Sequence, residues 1–280
     1  MLKKLFDFFV FTSLFIALCA VLMVYQTSLL FNVRFQWALY AFVFFGSVCS
    51  YNLHWFLTPP HIPEPTYKLK WNITNRSLHL ILFIVGAAGA GITAFLLIEH
   101  WFWLGVTALF TFLYSAPMID YAPFIWLRKI AIGKTIYLAL AWAHITSFLP
   151  LAIKLKTVEP QHLWYLVNRF FFIYAICIVF DRRDVENDRK AGIKSLITFF
   201  SEKGTDRLFW FSIVMVFTTC IILSRWLSWL DVSILFFPSI VMGLLYEPSK
   251  KNFSDYLYYF VLDGLMALSA PILILAKFAR

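Results

Sequence analysis

Apolar runs long enough to cross a lipid bilayer recur along almost the whole chain. A membrane-spanning helix needs about 20 apolar residues. Nine stretches approach or reach that length, near residues 5–27, 34–57, 77–98, 101–118, 131–151, 161–180, 205–224, 230–247 and 254–276. Hydrophobic residues make up 61% of the 280 residues, more than a water-soluble domain of this size can bury. The sequence therefore predicts an all-α, polytopic membrane helix bundle of about nine transmembrane helices.

Basic residues divide unequally between the two sets of loops. One set carries Lys3, Lys4, Lys68, Lys70, Arg76, Arg128, Lys129, Lys134, the basic residues between 182 and 207, Lys250 and Lys251. The other set carries Arg34, Lys154, Lys156, Arg225, Lys277 and Arg280. The positive-inside rule therefore predicts a single transmembrane domain, residues 1–280, of an inner or plasma membrane, with the N-terminus cytoplasmic and the C-terminus outside. The formal net charge of +9 does not indicate a nucleic-acid partner, because the cations lie in short loops between apolar runs.

Three aspartates stand together where the sixth apolar run ends. Asp181, Asp184 and Asp188 are spaced i, i+3 and i+7, so they share one face if the incoming helix continues through them. Such a row repels itself unless a cation lies among its members, and hard divalent cations prefer oxygen ligands. Basic side chains surround the row, as an anionic ligand requires; they are Arg182, Arg183, Arg189, Lys190 and Lys194. The pattern fits a metal–phosphate site, and it equally fits a solvated charged loop held by its own salt bridges.

Ionisable side chains also lie inside predicted spans, where they are costly and usually face a partner or a cavity. Arg169 and Asp263 both fall near mid-span, and we hypothesise that they pair. In the alternative interpretation, each is bonded separately to backbone or water. His144 is interpreted as an interior histidine with a hydrogen-bond partner.

The aspartate row and its surroundings resemble a known family. Asp181-x-x-Asp184-x-x-x-Asp188, with Gly192 and Lys194-Ser195 downstream, closely resembles the second aspartate-rich motif of the UbiA-type intramembrane prenyltransferases. The segment Leu113-Tyr114-Ser115-Ala116-Pro117, followed by Arg128-Lys129, is similar to the tyrosine-and-basic segment after the family's fourth helix. Nine helices with an inside N-terminus fit the same family.

The resemblance implies a prenyltransferase that moves a prenyl group from a polyprenyl diphosphate to a hydrophobic acceptor, aromatic or lipid, at a cytoplasmic site. It implies Mg²⁺ at Asp181, Asp184 and Asp188, and Tyr114 near the reacting carbon. The residues expected to bind the substrate are Asn52, Arg128, Lys129, Arg182, Arg183 and Lys194. The acceptor, the prenyl chain length and the oligomeric state are left open.

The family's first aspartate-rich motif departs from its pattern here. Asn52 is kept, but the three aspartates fall on Leu53, Phe56 and Pro60. Three outcomes stay open. One metal ion plus the basic residues suffices, or His54 with Asn52 replaces the lost ligands, or the protein is an inactive relative that binds or presents an isoprenoid or quinone or partners another membrane enzyme. A transporter is not indicated, since no paired interrupted helices occur in matching halves.

Overall fold

A computed structural model of the protein describes residues 1–58, 66–115, 131–190 and 200–279. Within these ranges the side chains of residues 114–115, 131–134 and 186–190 are not part of the description. The described backbone is helical and contains no strand, so the predicted fold class is confirmed.

The helices are numbered in chain order. They are α1 (Leu2–Phe11), α2 (Leu14–Phe31), α3 (Trp37–Leu57), α4 (Tyr67–Thr74), α5 (Arg76–Leu96), α6 (Trp101–Ser115), α7 (Ala131–Ala143), α8 (Leu149–Lys154), α9 (Pro160–Lys190), α10 (Glu202–Leu223), α11 (Trp229–Ser249), α12 (Asp263–Ala267) and α13 (Ser269–Phe278). The described ranges also contain two π-helical turns, His144–Phe148 and Leu257–Leu262, and one 3₁₀ turn, Ile98–His100.

Six helical segments in the described part of the chain are long and apolar enough to span a bilayer. They are Leu14–Phe31, Arg76–Leu96, Thr135–Lys154, Pro160–Val185, Glu202–Leu223 and Trp229–Ser249. A seventh is reached if Leu257–Ala267 and Ser269–Phe278, which are bent by 41° relative to each other, form one broken span. The bundle is therefore polytopic, and the predicted count of nine is not confirmed.

The helices pack in chain order and close into a bundle. α2 packs on α3, α3 on both α5 and α6, α6 on α7, α7 on α9, and α9 on α10. α10 then packs on α11, α11 on α13, and both α12 and α13 return to α2. α9 is the most buried of the spans and carries the aspartate row at its C-terminal end. We call the end of the bundle that holds this row, α4 and the C-terminus of α11 the α4 end.

The first predicted span, residues 5–27, is not one helix. α1 ends at Phe11, and Ser13 adopts a left-handed conformation with φ 66° before α2 begins. The break lets α1 turn aside and pack on α4. The Thr12 carbonyl at the break accepts a hydrogen bond from Asn52 Nδ2 at 3.0 Å. The prediction of a single helix was wrong here because a buried side-chain donor far along the chain supports the irregular backbone.

Two glycines let α5 approach α3 closely. A Cβ atom at Gly86 would lie 2.6 Å from the backbone nitrogen of Cys49, and one at Gly89 would lie 2.5 Å from the Phe45 ring. Small residues at such a contact permit the close backbone packing that holds membrane helices together. The fit at Gly86 involves backbone on both sides, so neither helix can relieve a clash by a side-chain rotation.

Gly86→Ala is expected to destabilise the protein by about 2 kcal/mol, the usual cost of overpacking a well-packed contact. Gly91→Ala is the matched control, because no atom lies within 4 Å of a Cβ built there. Both changes carry the same gain in helix propensity, so their difference isolates the clash. Thermal unfolding of the purified protein in detergent measures both. Equal shifts in the two variants would contradict the close α3–α5 contact.

Candidate functional site

α9 continues without interruption from Pro160 to Lys190, so the three aspartates of the row stand on one helix at its α4 end. Asp181 is buried, with 5% of its surface exposed, and one of its carboxylate oxygens accepts a short hydrogen bond from Thr135 Oγ1 on α7. Asp184 lies one turn further, with 33% of its side chain exposed, and accepts a hydrogen bond from Arg183 Nε at 2.9 Å. The side chain of Asp188 lies outside the described residues.

The chemistry of these donors suits Mg²⁺. The ion prefers oxygen ligands, uses one or two carboxylates and keeps its other positions for water and substrate phosphate. Asp181 and Asp184 provide carboxylate oxygens spaced one helical turn apart, and Asp184 reaches the surface of the site. Among the described side chains no three His, Cys, Asp or Glu residues cluster closely enough to hold a metal. The described part of the row thus offers two carboxylates and leaves coordination positions open.

Arg183 is buried beside this carboxylate face. Its side chain is 9% exposed, and its guanidinium carbon lies 4.6 Å from the ring centroid of Tyr258 and 4.8 Å from that of Tyr259. Nη2 donates to the Tyr259 hydroxyl at 2.8 Å. Nη1 has no hydrogen-bond partner in the described part of the chain, so its N–H donors are not engaged by the described residues.

Arg182 contacts a different set of residues, on α10 and α11. Its Nη1 lies 2.7 Å from Asp206 Oδ1, and Lys250 Nζ lies 3.1 Å from the same oxygen. The Tyr246 hydroxyl also donates to it, at 2.5 Å. This cluster joins α9, α10 and α11 at the α4 end, and Arg182 is engaged in it.

Asn52 is fully buried, with 0% exposure. Its Nδ2 donates to the Thr12 carbonyl at 3.0 Å and to the Val48 carbonyl at 2.8 Å. Its Oδ1 lies 2.7 Å from His79 Nδ1, and the other ring nitrogen lies 3.2 Å from Asn72 Oδ1. The amide therefore joins α3 to the α1–α2 break, to α5 and, through His79, to α4. The remaining predicted site residues lie outside the described side chains; they are Tyr114, Arg128, Lys129 and Lys194.

Lys68 is a buried cation that the sequence patterns did not single out. It lies on α4 with 4% exposure, and its ammonium is 3.4 Å from the ring centroid of Tyr259. Burial lowers the pKa of Lys68, and the nearby Arg183 acts in the same direction, whereas the Asp263 and Asp255 carboxylates act against the shift. In sequence it is one of two lysines in a proline-rich connection, and its contact with Tyr259 comes from a residue far along the chain.

The proposed ion pair between Arg169 and Asp263 is not formed. Arg169 is completely buried, and its Nη2 donates to the Met266 carbonyl at 2.7 Å. That carbonyl lies at the bend between α12 and α13, where the helix leaves backbone acceptors without their usual partners. The Asp263 carboxylate instead interacts electrostatically with two other cations, Lys68 and Arg183. The prediction was wrong because a carbonyl at a helix break, which the sequence does not mark, replaces the expected carboxylate.

His144 agrees with its interpretation as an interior histidine that has a hydrogen-bond partner. It lies in a π-helical turn with 9% exposure. Its Nε2 is 3.0 Å from Thr107 Oγ1 on α6. The described contacts of this ring thus give it a structural role between α6 and α7.

Sequence comparison decides the family. A profile described as "UbiA prenyltransferase family" matches residues 70–255, which is about two thirds of the chain. The chain belongs to the UbiA prenyltransferase family. A comparison with curated protein sequences found no match. Together with the apolar spans, family membership identifies a multi-pass membrane protein.

Solved structures of UbiA homologues share the fold. An apo UbiA homologue from Aeropyrum pernix K1 is 14% identical, with a TM-score of 0.67 and coverage of 94% of this UbiA-family chain and 96% of that one. A homologue from Archaeoglobus fulgidus is 15% identical, with a TM-score of 0.63 and coverage of 96% and 99%. The Archaeoglobus fulgidus homologue bound to GPP and Mg²⁺ is 17% identical, with a TM-score of 0.61 and coverage of 95% and 99%. At these identities the likeness establishes the fold.

Proposed function

We propose that this UbiA-family protein is a membrane prenyltransferase that binds a polyprenyl diphosphate and Mg²⁺ at the α4 end of the bundle. The observation that carries the proposal is the carboxylate face of α9, where Asp181 and Asp184 lie about one helical turn apart and Asp184 contacts the buried Arg183. Carboxylates next to a buried guanidinium suit a metal-bridged diphosphate, because one group binds the cation and the other the anion. A UbiA homologue of the same fold is bound to GPP and Mg²⁺, which supports the same ligand class here.

In this proposal Asp181, Asp184 and Asp188 hold Mg²⁺. When bound, the ion neutralises charge on the diphosphate as the allylic carbon–oxygen bond breaks. Thr135 holds Asp181 in place through its hydroxyl. Arg183 donates to Asp184 through Nε and would donate to the diphosphate through Nη1, which has no partner among the described residues. The acceptor carbon or heteroatom forms the new bond to the prenyl carbon and loses a proton, and pyrophosphate leaves.

Several further residues belong to the proposal by their match to the family's motifs. Tyr114 stands near the reacting carbon, and three basic residues contact phosphate; these are Arg128, Lys129 and Lys194. Arg182 is left out of the phosphate contacts because Asp206 and Tyr246 engage it. Asn52 is left out as well, since both ends of its amide are engaged. The site faces the cytoplasm of an inner or plasma membrane, as the loop charges predict.

In a second candidate function the protein is a carrier of an isoprenoid or quinone. Such a carrier would have the family's fold but would not catalyse prenyl transfer. The positions of the first motif's aspartates hold Leu53, Phe56 and Pro60, so one of the family's two carboxylate clusters is missing. The Asn52 amide that remains there forms hydrogen bonds within the fold. These features favour a protein that keeps its lipid-binding bundle and one cation site.

Pyrophosphate release by the purified full-length chain tests the proposal against this alternative. The protein in detergent is supplied with radiolabelled prenyl diphosphates of several chain lengths and a mixture of aromatic and lipid acceptors. We expect prenylated product and pyrophosphate with Mg²⁺, and neither after chelation, because the leaving group then carries uncompensated charge. Binding of the labelled diphosphate without release would establish the carrier and refute the transferase.

A further inference from the structure

Lys68 is directed into the bundle by the first turn of α4. The backbone N–H of Lys68 donates to Asp255 Oδ2 at 2.7 Å, and Thr66 Oγ1 caps the helix by accepting from the Leu69 N–H at 3.3 Å. The turn is therefore held from two sides, and the Lys68 side chain is left 4% exposed. In the sequence, Lys68 comes shortly after Leu53, Phe56 and Pro60, the positions at which the family's first motif has its aspartates.

Aromatic rings surround the Lys68 ammonium. Its Nζ lies 3.4 Å from the ring centroid of Tyr259, 4.5 Å from that of Trp55 and 5.9 Å from that of Phe11. Trp55 stands on the last turn of α3, between the positions that carry the motif's first two aspartates in the family. In the described part of the chain no carboxylate oxygen lies within 4.0 Å of Nζ, although Asp263 and Asp255 are close enough to favour the charged ammonium.

Tyr259 connects this cation to the carboxylate face of α9. The guanidinium of Arg183 lies 4.8 Å from the ring centroid of Tyr259 and donates to its hydroxyl at 2.8 Å. Arg183 in turn contacts Asp184. Two cations thus meet at one tyrosine, where Asp184 pairs with Arg183 and the Asp263 carboxylate interacts with both cations. A ligand with several negative charges would be attracted by the ammonium and by the guanidinium together.

We propose that the Lys68 ammonium supplies the positive charge that a metal ion at the first aspartate-rich motif would otherwise supply. The diphosphate is then bound between Lys68 with Arg183 and a single Mg²⁺ at the α9 carboxylates. This inference rests on the proposed function and specifies its site. A tethered ammonium needs no carboxylate ligands, which explains why Leu53 and Phe56 are compatible with diphosphate binding here.

The number of bound metal ions gives the first test. Mn²⁺ is used as a paramagnetic substitute for Mg²⁺, and bound ions are counted by electron paramagnetic resonance with the full-length protein and saturating inorganic pyrophosphate. We expect one ion per chain. Two ions per chain would overturn the inference while leaving the proposed function intact.

The affinity for pyrophosphate gives the second test. Lys68→Met is expected to weaken Mg²⁺-dependent pyrophosphate binding by roughly 10- to 100-fold, the range for losing a charged hydrogen-bond donor. Lys68→Arg should retain most of the affinity, because it keeps the charge. Lys70→Met is the matched control, since Lys70 is exposed on the same helix, and it should bind pyrophosphate as the wild type does.

The outcomes separate this inference from the function on which it rests. Wild-type binding that Lys68→Met leaves unchanged overturns the role of Lys68 alone. A wild-type protein that binds no pyrophosphate in the presence of Mg²⁺ overturns the proposed function, and the Lys68 site with it. If thermal unfolding shows that Lys68→Met does not fold, the ion count and the Lys68→Arg affinity decide the question.

Discussion

Asp184→Asn is expected to abolish Mg²⁺-dependent prenyl transfer, with a loss of roughly 1,000-fold or more. A bound metal ion contributes several kcal/mol of transition-state stabilisation, and each 1.36 kcal/mol is about tenfold in rate. The amide keeps an oxygen that can accept from Arg183 Nε, as Asp184 does at 2.9 Å. The change therefore removes the charge that binds the ion while sparing the buried arginine its contact. Single-turnover transfer of a labelled prenyl group measures the effect.

The control for this experiment is a carboxylate at the same end of the bundle. Glu247 is 67% exposed and pairs with Lys250 three residues later on the surface, so Glu247→Ala should leave transfer unchanged. Asp184→Ala should lose activity as fully as Asp184→Asn and should also lower the melting temperature, because Arg183 is then left buried without that partner. Full activity in Asp184→Asn would contradict the proposal that the carboxylates of α9 bind the metal ion needed for prenyl transfer.

Asn52→Leu is expected to destabilise the protein by about 4 kcal/mol. The substitution leaves the Thr12 carbonyl and His79 Nδ1, which Asn52 contacts at 3.0 and 2.7 Å, without their side-chain partner. Each buried polar group that loses its partner costs about 1–3 kcal/mol, and α1, α4 and α5 are all held through this amide. Thermal unfolding followed by tryptophan fluorescence measures the loss, since Trp71 lies 5.9 Å from the His79 ring.

Thr74→Ala is a suitable control for the Asn52 substitution. Thr74 is exposed on α4, and its hydroxyl bonds to the Lys70 carbonyl of its own helix. A surface change of this kind is usually worth within about 0.5 kcal/mol. If the melting temperature of Asn52→Leu were as close to the wild type as that of Thr74→Ala, Asn52 would not be the link between these helices.

The sequence predicted most reliably what depends on local pattern. Apolar runs of bilayer length predicted the helices, because lipid requires every backbone group to be satisfied within its own segment. The spacing of the aspartates predicted a shared helix face, and α9 does continue through Lys190. Both inferences rest on periodicity within a single segment, which a sequence carries in full.

Features that depend on partners from distant segments could not be predicted. The break at Ser13 has no glycine or proline to mark it, and Asn52 supports it from another helix. Lys68 resembles the other loop lysines until Trp55 and Tyr259 are brought against it. The sequence patterns thus identified the carboxylates of the site but not the cation on its other side.

The bonding of Arg169 has a consequence for the bend between α12 and α13. Its guanidinium contacts a neutral carbonyl, and in the described part of the chain it forms no ion pair with a carboxylate. The bond joins α9 to the Met266 carbonyl beside that bend, so the broken helix is held against the most buried of the described spans. Removing the guanidinium would leave this buried acceptor without a partner, which costs about 1–3 kcal/mol. The position of the bend is in this way fixed by a side chain that lies 97 residues earlier in the chain.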